Sequence, residues 1–190
     1  MKQIKSEIRK KYRKRIKEIP AEYFKKSGRA ICGSVIKTNA WITARTVFVY
    51  ASLPTEADTT ELLTEAIRSG KRLCVPKITA AGKMDAVEIE SLSQLKPGKF
   101  GIPEPIEECK AVTAQEIDLI VMPCLAAGED GTRLGKGGGF YDRFCENYSG
   151  KKMVLCPEAV LCKSGELPFD FWDINADAVV SENRIISVKD

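Results

Sequence analysis

The sequence predicts an α/β fold: one domain over residues 1–190, with a largely parallel central sheet flanked by helices and a basic N-terminal helix. Three observations carry this. Short apolar runs rich in β-formers alternate with segments of helical periodicity, which is the pattern of parallel sheets with crossover helices. The length of 190 residues suits a single core. No internal repeat and no long linker divides the chain.

The elements follow in order. Ile4, Ile8, Tyr12, Ile16 and Ile19 recur at helical spacing, so residues 2–18 read as an amphipathic helix ending near Pro20. A second helix is expected over 21–38. "TVFVY" at 46–50 is a strand. "DTTELLTEAIRSG" opens on a capping-type Asp58 with Glu61 behind it and closes at Gly70, so it is a helix. "KRLCVP" and "KMDAVEI" are strands, "LKPGKFGIPEP" at 95–105 is an irregular surface loop, and "IDLIVMP" at 117–123 is a buried strand. A helix from about 138 to 148 follows a glycine-rich loop, and "KKMVLCP" and "ADAVV" supply two last strands.

Composition removes several chemistries. Histidine is absent, so there is no Ser–His triad, no Cys–His dyad and no histidine-bound metal. Phosphoryl transfer stays open, because it depends on positioning and on charge supplied by Lys, Arg and a metal ion. The seven cysteines are odd in number and form no C-x-x-C, so buried thiols are expected rather than disulfides or zinc ligands. No apolar run is long enough for a membrane span and the N-terminus lacks a secretory core, so a cytoplasmic protein without a membrane partner is expected. The net charge is only +4, yet residues 1–17 hold nine Lys or Arg against one Glu. Such a segment either meets an anion or is a solvated face.

The stretch "TRLGKGGGFYDRF" at 132–144 holds the sharpest signal. Successive glycines let backbone N–H groups converge on an anion without Cβ clashes. Arg133, Lys136 and Arg143 add full charges, and Asp142 stands close enough to hold the magnesium that accompanies ATP. The spacing fits neither the Walker pattern nor G-x-G-x-x-G. On the residues alone, a phosphate cradle and a structural turn both remain open.

"MPCLAAGEDGTRLGKGGGFYDRF" closely resembles the signature of the 5-formyltetrahydrofolate cyclo-ligase family, also called methenyltetrahydrofolate synthetases. "KSEIRKKYRKR" at 5–15, "YASLPTEADT" at 50–59 and "FGIPEP" at 100–105 agree with it, so the resemblance covers nearly the whole chain. It implies an ATP- and Mg-dependent enzyme that closes 5-formyltetrahydrofolate to 5,10-methenyltetrahydrofolate, releasing ADP and phosphate. The folate could carry a polyglutamate tail.

By position, the resemblance implies that Lys5 and Arg9 reach ATP. Arg133, Leu134, Gly135, Lys136, Gly137, Gly138, Gly139, Phe140 and Tyr141 would wrap its phosphates. Arg133 and Lys136 would be catalytic, through charge that matters most as phosphate transfers. Lys136, Gly137, Gly138, Gly139 and Phe140 would also face the folate, with Glu56 and Ala51 at its pterin end. Asp142 and Asp173 would hold magnesium, and Met84 and Asp85 are weaker candidates beside the substrate.

Three bland alternatives accompany these roles. Glu56 could merely stand before the helix that follows it. Asp142 could be a surface partner of Arg143 or Lys136, and Tyr50, Phe140 and Tyr141 could be core aromatics, the reading favoured for Tyr50. Near the C-terminus the chain departs from the family pattern. "CPEAV" with Pro157 and Val160 replaces Phe-Glu-x-Gln, and Trp172 stands where histidine often precedes the aspartate.

Two other functions fit less of the sequence. One is a nucleotide-dependent enzyme of the same fold acting on a different formamide or carboxamide. The other is a nucleic-acid binder using the first helix; only Tyr12 and Tyr23 accompany its basic run, so no nucleic-acid partner is expected.

Overall fold

The computed structural model describes residues 1–98 and 101–188, so Phe100 of the "FGIPEP" segment lies outside the described residues. Helix α1 (Lys2–Glu18) is followed by α2 (Ala21–Val35) and the short α3 (Asn39–Thr43). Strand β1 (Thr46–Val49) leads through α4 (Thr60–Arg68) to β2 (Arg72–Ala80) and β3 (Lys83–Ile89). Next come β4 (Leu95–Pro97), β5 (Pro103–Pro105), β6 (Ala111–Val112), β7 (Leu119–Met122), β8 (Ala126–Gly128) and β9 (Arg133–Leu134). Helix α5 (Phe140–Phe144) precedes β10 (Lys151–Leu155), β11 (Leu161–Cys162), β12 (Ala178–Val180) and β13 (Ile185–Ser187).

The main sheet runs β13-β12-β10-β7-β1-β2-β3-β6. Pairings from β12 through β10, β7 and β1 to β2 are all parallel, while β13, β3 and β6 add antiparallel margins. All four residues of β1 and of β7 are buried, as expected for central strands covered on both faces.

The pleat sorts their side chains. Val47, Val49, Leu119 and Val121 join the core under α2 and α4, where Ile31, Val35 and Leu62 are fully buried. Phe48, Ile120 and Met122 join the opposite core with Tyr12 and Ile16 of α1 and Tyr141 of α5. The Phe48 ring lies 4.9 Å from that of Phe144 and 6.1 Å from that of Tyr141, which seats α5 on β1. Gly28 lets α2 close on the chain entering α4: a Cβ there would overlap the Asp58 backbone, whose N–H donates to Phe24 O at 3.3 Å.

Several expectations need adjusting. The second helix stops at Val35 and α3 follows it. Asp58 stands one residue before the N-cap, which is Thr59, and its Oδ1 accepts from Thr60 N–H at 2.9 Å, while Glu61 pairs outward with Arg29. The irregular 95–105 stretch contains the paired strands β4 and β5. A small sheet β11-β8-β9 carries the entrance to the glycine loop. The helix after that loop spans five residues rather than eleven. Past it, Glu146 N–H and Tyr148 N–H bond three residues back, so the chain continues as turns. Among the described residues, no helix is long and apolar enough to cross a membrane.

Candidate active site

Strand order reverses between β1 and β7: β1 continues through α4 to β2 on one side, and β7 continues to β10 and β12 on the other. Open α/β sheets bind ligands beyond the strand carboxyl ends at such a switch point. A cavity of about 1150 Å³ lies there. Tyr50 and Ala51 after β1, Pro123 and Cys124 after β7, and Pro76 and Ile78 of β2 form its floor, with the glycine loop and α1 as walls.

The loop is held by its carbonyls. Arg9 Nε donates to Gly135 O at 2.9 Å, Arg13 Nη2 donates to Lys136 O at 2.7 Å, and Arg143 donates to Gly138 O and, at 2.6 Å, to Gly82 O in the β2–β3 turn. These peptides are trans, so the N–H groups of Lys136, Gly137 and Gly139 point away from the arginines that hold them. Gly139 has φ 65°, a left-handed conformation that favours glycine, and it starts α5.

Charge in the cavity is partly pre-paired. Seven cationic side chains line it against five carboxylates. Lys5 bonds Asp173, Lys136 Nζ lies 2.6 Å from Glu56 Oε1, and Arg133 Nη2 lies 2.9 Å from Asp142 Oδ1. Only 5% of the Arg133 side chain is exposed, its guanidinium lies 5.5 Å over the Tyr141 ring, and its Nε is buried without a hydrogen-bond partner. A buried cation with an unused donor is expensive unless an acceptor arrives. Gly135 leaves it room, since a Cβ there would fall 2.7 Å from Arg133 Nη1. Burial, then the neighbouring Arg13, lower the Arg9 pKa from its usual value. Burial, then Glu56, raise those of Tyr50 and Tyr141, so both phenols stay neutral.

The residues expected from the sequence converge here. Lys5, Arg9, Ala51, Glu56, Asp173 and all of Arg133 to Asp142 line this one cavity. Glu56 does not serve the helix after it, because its Oε2 accepts from Leu53 N–H at 2.9 Å and Oε1 meets Lys136. Asp142 pairs with Arg133, not with Arg143 or Lys136. Tyr50 is a core aromatic, as expected, and donates to Ala57 O. Met84 lines the cavity, whereas Asp85, one step along β3, projects to the other side and is exposed.

Sequence reasoning missed Arg13, Cys124, Phe171 and Trp172 as wall residues. Arg13 follows Arg9 by four residues on α1, so helical spacing held the signal for it. Phe171 and Trp172 carried none beyond their position before Asp173, and Cys124 none beyond its place in the quoted signature.

The 5-formyltetrahydrofolate cyclo-ligase family model matches residues 1–182. An Escherichia coli K12 5-formyltetrahydrofolate cyclo-ligase is 34% identical over 148 residues, which is 76% of this chain and 81% of that protein. A probable 5-formyltetrahydrofolate cyclo-ligase of Schizosaccharomyces pombe is 28% identical, covering 83% of this chain and 84% of its own. Among solved structures, the NMR structure of Aquifex aeolicus 5,10-methenyltetrahydrofolate synthetase superposes with a TM-score of 0.84 at 30% identity, over 98% of this chain and 94% of that one. The match over nearly the whole length agrees with a cavity built from the signature residues, and the chain belongs to the 5-formyltetrahydrofolate cyclo-ligase family, a family of ligases.

Proposed function

We propose that this protein catalyses the ATP- and magnesium-dependent cyclisation of 5-formyltetrahydrofolate to 5,10-methenyltetrahydrofolate, releasing ADP and phosphate. The observation that carries this reading is the buried Arg133. Its guanidinium lies in a cation-rich cavity beside the glycine loop, and its Nε has no acceptor. A phosphate oxygen supplies the missing acceptor.

In this reading the formyl oxygen of the folate attacks the γ-phosphorus of ATP and ADP departs. N10 then attacks the activated formyl carbon, and phosphate leaves as the ring closes. Neither step needs histidine. Lys5, Arg9 and the loop from Arg133 to Tyr141 hold the triphosphate. Arg133 and Lys136 stabilise charge as it shifts onto the transferring group. Glu56 and Ala51 receive the pterin end, with Lys136 between the two substrates because its ammonium already bonds Glu56.

The carboxylates fit magnesium. Asp142 accepts from Arg133 and from Ile174 N–H through Oδ1, and Asp173 engages Lys5 and Asp170 N–H through Oδ2. Ile174 directly follows Asp173, so both acids belong to one corner of the cavity. Magnesium usually takes one or two protein carboxylates and keeps several waters. Asp142 and Asp173 would hold it, and it would neutralise the phosphates. Lys5 and Arg133, exchanging carboxylate for phosphate, lose no ionic partner. The seven free thiols, five of them buried, support a cytoplasmic setting.

The test follows methenyltetrahydrofolate absorbance with purified protein, omitting ATP, magnesium or 5-formyltetrahydrofolate in turn. Product should form only with all three. Folate-independent ATP hydrolysis without product would overturn the proposal in favour of another acceptor substrate.

A further inference from the structure

Phe171 and Trp172 are 84% and 59% exposed, yet both belong to the wall of the cavity. Their ring centroids are 4.1 Å apart at 60°. Large aromatic side chains normally bury 150–250 Å² each, so two of them left open beside a charged cavity lack the ring face they could cover. The turn that carries them is anchored at both ends. Asp173 N–H donates to Asp170 O at 2.9 Å, the Asp173 carboxylate accepts from Asp170 N–H at 2.6 Å, and it also bonds Lys5 of α1. The backbone is thus fixed and the two rings stand at its tip.

Resting on the reading above, we propose that Phe171 and Trp172 form a stacking platform for the nucleobase of the bound nucleoside triphosphate. The platform adjoins Lys5 and Asp173, on the α1 side of the glycine loop. Glu56 and Ala51, which receive the pterin, follow β1 instead and are joined to the loop through Lys136. A triphosphate lying on the loop therefore has its base to place, and the two open rings are the aromatic surface on its own side. Stacking on aromatic side chains contributes about 1–3 kcal/mol per base, and about 1.4 kcal/mol is a tenfold change in affinity.

The chain has two tryptophans, and the other, Trp41, is buried against the core beneath α2 and α4. Intrinsic fluorescence therefore reads changes at Trp172 over a constant emission from the buried Trp41. ATP should quench and shift its emission, whereas inorganic tripolyphosphate, which fills the cradle without a base, should not. Calorimetry should show Trp172→Ala weakening ATP binding about tenfold, and Trp172→Phe restoring it to within about threefold while abolishing the fluorescence change. The KM for 5-formyltetrahydrofolate and the melting temperature should not move, because the side chain is outside the core. Equal responses to tripolyphosphate and ATP, a response to folate alone, or unaltered ATP affinity in Trp172→Ala would each overturn the platform. If the unsubstituted protein cyclises folate with ATP while Trp172→Ala binds ATP normally, only the platform fails. If the unsubstituted protein does not bind ATP, the functional reading fails and the platform with it.

Discussion

Arg133 concentrates the conflict of the site in one residue. Its guanidinium is almost wholly buried with a single carboxylate partner, and one of its donors is idle. Stability alone would not select this arrangement, since a buried charge is kept cheaply only when fully bonded. Asp142 therefore has two duties, and two substitutions separate them. Asp142→Asn keeps an oxygen for Ile174 N–H and removes the charge. Asp142→Ala removes the oxygen as well, so Arg133 Nη2 and Ile174 N–H both lose their acceptor, costing about 1–3 kcal/mol of stability. Both should raise the magnesium concentration for half-maximal rate at fixed ATP, and only Asp142→Ala should also lower the melting temperature clearly. An unchanged magnesium curve in Asp142→Ala would reduce Asp142 to the partner of Arg133. Arg133→Ala should remove about 2–4 kcal/mol of transition-state stabilisation, read as a loss in kcat/KM for ATP.

At the scale of elements, α1 and α2 do different work. Helix α1 docks through Tyr12 and Ile16 and turns Arg9 and Arg13 to the loop carbonyls, so it is a wall of the site rather than a free basic arm. Helix α2 is structural, and two of its glycines make opposite predictions. A Cβ at Gly28 would collide with the rigid backbone of Asp58, while one at Gly33 would meet nothing within 4 Å. Gly28→Ala should destabilise by about 1–3 kcal/mol through overpacking. Gly33→Ala should stabilise by about 0.5–1 kcal/mol through the lower helix-forming cost of alanine. Thermal melts of the pair check this, and the same sign for both would refute the contact between α2 and Asp58.

Over the whole molecule, three carboxylates held below their usual pKa set the acid limit of the fold. Burial pushes the Asp177 carboxyl up, but bonds and charge from Lys152 outweigh it and hold it below its usual pKa. Asp58 is held low against burial by Thr60, and Asp130 by Gly165 and Thr132. In each case the folded pKa lies below the unfolded one, so near and below the usual aspartate value of about 3.9 the unfolded state binds more protons. Their stabilisation is present above that value and is lost as pH falls through the folded pKa values. Melting temperature should thus hold from about pH 6 to pH 5 and fall below about pH 4. Asp177→Asn should start lower and fall less steeply, and a parallel curve would show that Asp177 is not among the groups responsible.

The sequence by itself determined the alternation of strands and helices, because periodicity is local and β1, α4, β3 and β10 need only neighbouring residues to declare themselves. It also determined the glycine loop and its charges, since glycine freedom and side-chain charge are properties of the chain itself. It missed β8, β9 and β11, whose two or three residues have no period to detect, and it lengthened α5, whose end is decided by turns that carry no strong sequence mark. Only the tertiary structure decided which charges face one another. Lys5 meets Asp173 across 168 residues and Arg9 meets Gly135 across 126, so both contacts depend on α1 docking against the sheet. That docking is also what turns Phe171 and Trp172 from two apolar letters into part of a cavity wall. Burial, and with it the unused donor of Arg133, exists only once the strands have closed around it.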